Sequence, residues 1–177
     1  MLFVPWVWKY HFFCYLCLSG QYRLPFSGNR KNIFYMKIEK LGGTTPRLYA
    51  LIAPLALNAA VIRQNNNSAF KTSERHEWLV AVDEEADTAI AFFPMEQRNG
   101  YIYVNNYYVP AENENNLLTA FIKEVKSLYG KECPILVAAH ARHADLFAKK
   151  GFTMEKEWKL YIKMKYAKAD GKAQERV

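Results

Sequence analysis

Cysteine is nearly absent from this chain: Cys14, Cys17 and Cys133 are the only three in 177 residues. So thin and odd a set of thiols forms no disulfide framework and fits a reducing cytoplasm. Cys14 and Cys17 have the C-x-x-C spacing, but a second pair and a strand-then-helix setting are missing, so no zinc or redox site is assigned to them. Acidic residues are missing from the first 35 positions, which hold Lys9, Arg23, Arg30 and Lys31. Removing those four from the balance leaves 20 basic against 17 acidic residues from Met36 onward, so much of the net charge of +7 belongs to the N-terminal stretch. A body this balanced lacks the concentrated positive field that nucleic acids require, which excludes that class of partner. A clean apolar run is lacking too. The aromatic stretch around Trp6, Trp8, Tyr10, Phe12, Phe13 and Tyr15 is broken at its middle by Lys9 and His11, which argues against a membrane span. The same stretch has neither the charge order nor the small cleavage-site residues of a secretory signal. There is no internal repeat.

What is present is enough for a folded domain. About half of the residues, 51%, are apolar, and the length fits one hydrophobic core. The composition divides the chain into an aromatic extension over residues 1–35, a domain over 36–166 and a flexible tail over 167–177. Met36 opens Met-Lys-Ile-Glu-Lys, which reads as a first strand and as a natural start, so the extension is expected to be dispensable or a misassigned beginning.

Elements alternate from there. Thr44 and Thr45 can cap a helix with Pro46 at its first position, and Leu48, Leu51 and Ile52 give it an apolar face. Pro54 is expected to break it, with a second short helix running through Ile62. Residues 65–68 are a loop. Glu77–Asp83 and Thr88–Glu96 are strand-like, and Tyr101–Val109 is a strand rich in residues that favour sheets. Pro110 ends it. The next helix carries Leu117, Leu118, Phe121, Ile122, Val125 and Leu128 on one stripe and stops at Gly130. Ile135–Ala139 is apolar throughout, as a strand covered on both faces should be. A helix over 142–150 and two strands, near Phe152–Lys156 and Trp158–Lys165, complete the order.

The segment from Pro134 to His140, followed by Arg142 to Phe152 and an alternating end, resembles the last third of the GNAT acetyltransferase superfamily. There a strand, a helix ending in a Gly-Phe pair and two final strands flank acetyl-CoA. Gly151-Phe152 stands at that place, and the element order matches over almost all of residues 36–165. The resemblance implies an α+β or α/β fold with a mixed, mostly antiparallel central sheet, helices on its faces and two strands splayed at a cofactor cleft. Those strands would be the ones ending at Val109 and at Ala139. Backbone groups of Tyr107, Tyr108 and Val109 would then hold the pantetheine arm of acetyl-CoA. Asn115, Asn116 and Thr119 would lie at the diphosphate, and Phe147 beside the thioester.

Two positions depart from the family's pattern. The phosphate loop normally places Arg or Gln before closely spaced glycines, because backbone N–H groups and the helix dipole must meet the diphosphate directly. Here Glu114 occupies the basic or amide position, Leu117 and Thr119 replace glycines, and Glu112 adds a second like charge. Phe147 stands where a tyrosine commonly protonates the leaving thiolate, and it has no hydroxyl to give. Of the four histidines, His11, His76, His140 and His143, His140 is the catalytic candidate, at a strand end beside the cleft with a ring that can take a proton from an amine. Glu96 is the second base candidate, acting through water. His140 and His143 lie three apart, but without a third ligand at fixed spacing no metal site follows. Cys133 lies outside any nucleophile pattern.

Two readings result. One is an N-acetyltransferase carrying an acetyl group from acetyl-CoA to a small-molecule or peptide primary amine. The other is a GNAT-like domain that has lost catalysis and serves as a binding or regulatory module. The composition leaves a homodimer open.

Overall fold

The computed structural model describes residues 24–28 and 32–167. The expectations for the aromatic run with Cys14 and Cys17, and for the tail beyond Ala167, lie outside the described residues. An eight-stranded sheet forms the centre. In chain order the elements are β1 (Leu24–Gly28), β2 (Asn32–Gly42), α1 (Pro46–Ala56), α2 (Ala59–Gln64), β3 (His76–Asp83), β4 (Thr88–Arg98) and β5 (Tyr101–Val104). There follow α3 (Glu114–Tyr129), β6 (Ile135–His140), α4 (Ala144–Lys149), β7 (Thr153–Glu157) and β8 (Tyr161–Tyr166). The spatial order is β1-β2-β3-β4-β5-β6-β8-β7. Every neighbouring pair is antiparallel except β5 and β6, which run parallel.

The alternation of side chains along these strands divides the core between the two faces of the sheet. On one face, Leu79, Ala81, Phe93, Met95, Val104, Val137 and Ala139 pack under the stripe of α3 and under Phe147 of α4. On the other, Trp78, Val80, Val82 and Phe92 lie under Leu48, Leu51, Ile52 and Val61 of α1 and α2. The expected stripe of α3 is the buried one, with Leu117, Leu118, Phe121, Ile122 and Val125 at 1% exposure or less. Each such side chain contributes about 1.5–3 kcal/mol. Gly151, at φ +88, makes the left-handed turn after α4 that a side chain would strain. Phe152 then returns to the core, edge-on to Phe147 at 5.2 Å.

Three expectations need correction. α1 runs through Pro54 to Ala56. Both Pro54 and Ala50, whose carbonyl loses its helical partner, are on the exposed side, where water can take up the freed group. Thr45 is the residue before the helix, yet its hydroxyl donates to the Gly42 carbonyl at 2.9 Å rather than capping. The strand expected over Tyr101–Val109 ends at Val104. Asn106 adopts φ 55 and turns the chain out of the ladder, and only Tyr108 resumes pairing, as a single bridge to Phe92.

Met36, where the sequence places the start of the domain, lies inside β2. It is the first β2 residue paired with β3, opposite Asp83, and also the last paired with β1, opposite Leu24. The whole β2–β3 register therefore survives in a chain that begins at Met36. Such a chain is expected to unfold cooperatively, with a midpoint within a few degrees of the full-length protein, as measured by calorimetry. A broad, non-cooperative transition would place part of the N-terminal arm in the core.

Candidate active site

β5 and β6 stay paired from Ile102 opposite Ile135 to Val104 opposite Val137, and then separate. β6 continues to His140 with β8 alone as partner. The residues after the kink at Asn106 lean the other way: the Tyr108 amide and carbonyl bond the backbone of Phe92 at 2.9 and 3.0 Å. By alternation the backbone groups of Tyr107 and Val109 point away from Phe92, and both residues are buried, at 2% and 1% exposure. The Val109 carbonyl accepts a hydrogen bond from Gln64 Nε2 at 3.0 Å. Of the three residues nominated for the pantetheine arm, Tyr108 thus has its backbone fully used within the sheet, and the Val109 carbonyl is taken by Gln64.

The Tyr107 side chain spans that opening. Its hydroxyl lies 2.7 Å from His143 Nδ1 and accepts a hydrogen bond from the His140 amide at 3.1 Å. His143 Nε2 is 3.1 Å from a Glu114 carboxylate oxygen. A carboxylate only accepts, so this contact is a hydrogen bond when Nε2 carries the proton, and Nδ1 then accepts from the tyrosine hydroxyl. Arg142 Nε lies 3.1 Å from the same ring nitrogen and 3.6 Å from the carboxylate. It bonds Nε2 only in the other tautomer; in the first it serves as the cation facing Glu114. Glu114 starts α3 and Arg142 lies in the turn over residues 141–143, so the network ties α3 to the turn before α4.

Burial governs the protonation of these groups. It pushes the His140 ring down to about 4, with the Arg142 charge and His143 adding to the effect. His143 is also lowered by burial, against the opposing effect of its hydrogen bond to Glu114. Burial raises the Tyr107 hydroxyl well above its usual value. Both imidazoles are therefore neutral near pH 7.

The expected phosphate end is different in kind. Residues 111–116 line a shallow hollow of about 280 Å³ at the start of α3, and none of them is basic. Asn115, Asn116 and Glu112 are exposed there and Thr119 is half-buried. Leu117, which the sequence placed against the diphosphate, is turned into the core at 1% exposure. Phe147 is completely buried, 6.1 Å from the Tyr107 ring. A glycine cradle for a diphosphate is not built here, and along the parting of β5 and β6 the Val109 carbonyl and the His140 amide are met by side chains.

Glu96 is not brought to His140. It lies on β4, opposite His76 of β3 and Tyr103 of β5, so the ladder register sets His76, Glu96 and Tyr103 in one row across three strands. This row helps to line a pocket of about 240 Å³, with Lys71, Arg98 and the faces of Phe70 and Trp78 around it. The pocket extends to Asn105 and Asn106, where β5 leaves β6. Arg98 donates to Glu96 Oε2 through two nitrogens, at 2.6 and 2.9 Å, and sits 4.1 Å over the Tyr103 ring. Sequence reasoning gave His76 no role; only its register position, opposite Glu96, reveals it. Among the described residues no three His, Cys, Asp or Glu side chains converge as metal ligands, and no helix is long and apolar enough to cross a membrane.

Tyr107→Phe removes the acceptor of the His140 amide and the partner of His143 Nδ1, and is expected to cost about 1–3 kcal/mol of stability by chemical denaturation. The histidines also set a pH dependence. An unfolded imidazole binds its proton near 6.5 and folded His140 only near 4. Between these values the unfolded state is the more protonated, so this stabilisation is complete above pH 6.5 and is lost as the pH falls toward 4. At about 1.4 kcal/mol per unit the full span is on the order of 3 kcal/mol. Denaturation at pH 7 and pH 4.5 should show a larger loss in the native chain than in His140→Asn; equal losses would contradict the assignment.

No family model and no curated protein matches the sequence. Solved structures do. An acyl-CoA N-acyltransferase from Pseudomonas aeruginosa is 13% identical with a TM-score of 0.55, over 75% of this chain and 99% of the other. ElaA from Escherichia coli, at 13% identity and TM-score 0.55, is covered to 98% by 73% of this chain. Tetrahymena GCN5, at 18% identity and TM-score 0.55, is covered to 95% by 74% of it. At such identities the likeness is one of architecture: the sheet order, the parallel β5–β6 pair that opens and the helices on both faces are those of the GNAT acetyltransferase fold, and this chain has that fold.

Proposed function

We propose that the protein is an acyl-CoA-dependent N-acyltransferase that moves an acetyl group from acetyl-CoA to a primary amine. The observation that carries this reading is the parting of the parallel β5 and β6 after Val104, where Tyr108 turns to Phe92 and leaves β6 with β8 alone. A strand edge of this kind can bond the amides of a pantetheine arm as if it were a neighbouring strand. The amine would approach from the pocket that reaches Asn105 and Asn106. Its nitrogen attacks the thioester carbonyl, a proton leaves the nitrogen and the carbon–sulfur bond breaks. Glu96, acting through water, is the better-placed base. His140, held near 4 by burial, takes a proton poorly. Phe147 offers the departing thiolate no proton, which forgoes a positioned acid worth about 10²–10⁴-fold in rate.

A specific observation favours the second reading, a binding or regulatory module on the same scaffold. Glu112 stands at the start of α3 without a basic neighbour in the hollow, and Glu114 is committed to His143 and Arg142. The two readings separate in a calorimetric titration with acetyl-CoA at low salt. Under the transferase reading the native chain binds weakly, and Glu112→Gln tightens binding about tenfold by removing one unpaired like charge near the diphosphate. Glu114→Gln should gain less, because Arg142 already offsets that charge. Absence of heat from the native chain and from Glu112→Gln at millimolar acetyl-CoA would leave the module reading in possession.

A further inference from the structure

The pocket beside β5 has a charge pattern that amine transfer alone does not require. Glu96 is bonded by Arg98 through one oxygen only, Oε2, and its second oxygen is left for another donor. His76 engages Ser73 Oγ through Nδ1 at 2.8 Å, which leaves Nε2 to the pocket. Lys71 lines the same space and has no ion-pair partner among the described residues.

We propose that this pocket binds an aromatic α-amino acid or a close zwitterionic analogue, with its ammonium at Glu96 and its carboxylate at Lys71. The proposal rests on the transferase reading, for which it names the acceptor class. Counting the walls decides the charge. Lys71 and Arg98 outnumber Glu96, so a ligand that is only a cation meets a net repulsive site, and one that is only an anion leaves the free oxygen of Glu96 without a donor. One charge of each sign on one small body satisfies both ends. Volume limits what the pocket itself holds: about 240 Å³ lies below the 300–1,000 Å³ typical of drug-sized ligands. That is room for a single amino acid. Phe70, Trp78, Pro94 and Tyr103 line the space and give it the apolar side that an aromatic body would contact.

The chemistry balances. The ammonium gives one proton to the free oxygen of Glu96 or to His76 Nε2, neutral because burial lowers that ring. The amine then forms a bond to the acetyl carbon as the carbon–sulfur bond breaks. The base releases that proton to solvent and takes the second from the nitrogen, and the thiolate is protonated by solvent.

The test is calorimetric titration of the full chain with three probes: phenylalanine, phenethylamine, which lacks the carboxylate, and 3-phenylpropionate, which lacks the amine. Phenylalanine is expected to bind at least tenfold more tightly than either. Lys71→Gln should erase its advantage over phenethylamine, and Glu96→Gln its advantage over 3-phenylpropionate, in variants whose unfolding midpoints match the native chain. No saturable binding of phenylalanine at millimolar concentration, or phenethylamine binding as tightly, overturns the proposal. Thiol release from acetyl-CoA is followed separately. Phenylalanine that binds with the expected variant effects but is not acetylated would keep the pocket and remove the transferase reading. Acetylation of another amine by a chain that does not bind phenylalanine would do the reverse.

Discussion

Beyond Val104 the sheet has an edge in its middle, and the polar groups along that edge must find partners other than a neighbouring strand. On the β6 side the His140 amide is met by the Tyr107 hydroxyl, on the β5 side the Val109 carbonyl by the Gln64 side chain. A buried amide left without a partner is costly, so these side-chain contacts are what permit the two strands to part at all. Tyr107 can do this only because His143 and Glu114 complete the bonding of its hydroxyl from the far side. The opening and the network that borders it are one construction.

This alters the meaning of the acidic residues that seemed to spoil a phosphate site. Glu114 is directed at His143 and Arg142, and its charge serves to hold the start of α3 to the start of α4. Glu112 alone remains at the hollow. Leu117, in a glycine's place by sequence, contributes to the core and not to the hollow. The departure from the GNAT pattern is therefore better described as a different closure of the same cleft than as the erosion of a loop. The aromatic character of Tyr107, Phe93 and Phe147, which pack around one another, belongs to that closure.

On the other face of the sheet the register does comparable work. His76, Glu96 and Tyr103 are far apart in sequence and share a row because β3, β4 and β5 are joined by tight antiparallel turns. Glycine is needed at one point beside them: a Cβ at Gly43 would stand 2.2 Å from the Ser73 carbonyl and 2.9 Å from the His76 Cβ. The segment before β3 thus lies directly on the end of β2, and this close approach fixes where Lys71 and His76 begin.

Periodicity and punctuation in the sequence were sufficient for most of the elements, because they report burial and local conformation. The stripe from Leu117 to Val125, the apolar run of Ile135–Ala139, and the stop at Gly151 before Phe152 each follow from side-chain spacing or from the steric freedom of one residue. The departure of Phe147 from a hydroxyl-bearing residue was equally legible, as was the place of His140 at a strand end. The early end of β5 was missed: Asn105 and Asn106 interrupt an otherwise strand-favouring run, but only the folded setting shows that Asn106 takes φ 55 there. Pairing of Glu114 with His143 and Arg142, and of His76 with Glu96, is a contact across distant segments with no trace in local composition. Sequence by itself determined the elements, their order and the missing hydroxyl and glycines. Tertiary structure decided which charges are neutralised, which backbone groups side chains must meet and which residues share a pocket, because those depend on strand register and on the path of the chain between elements.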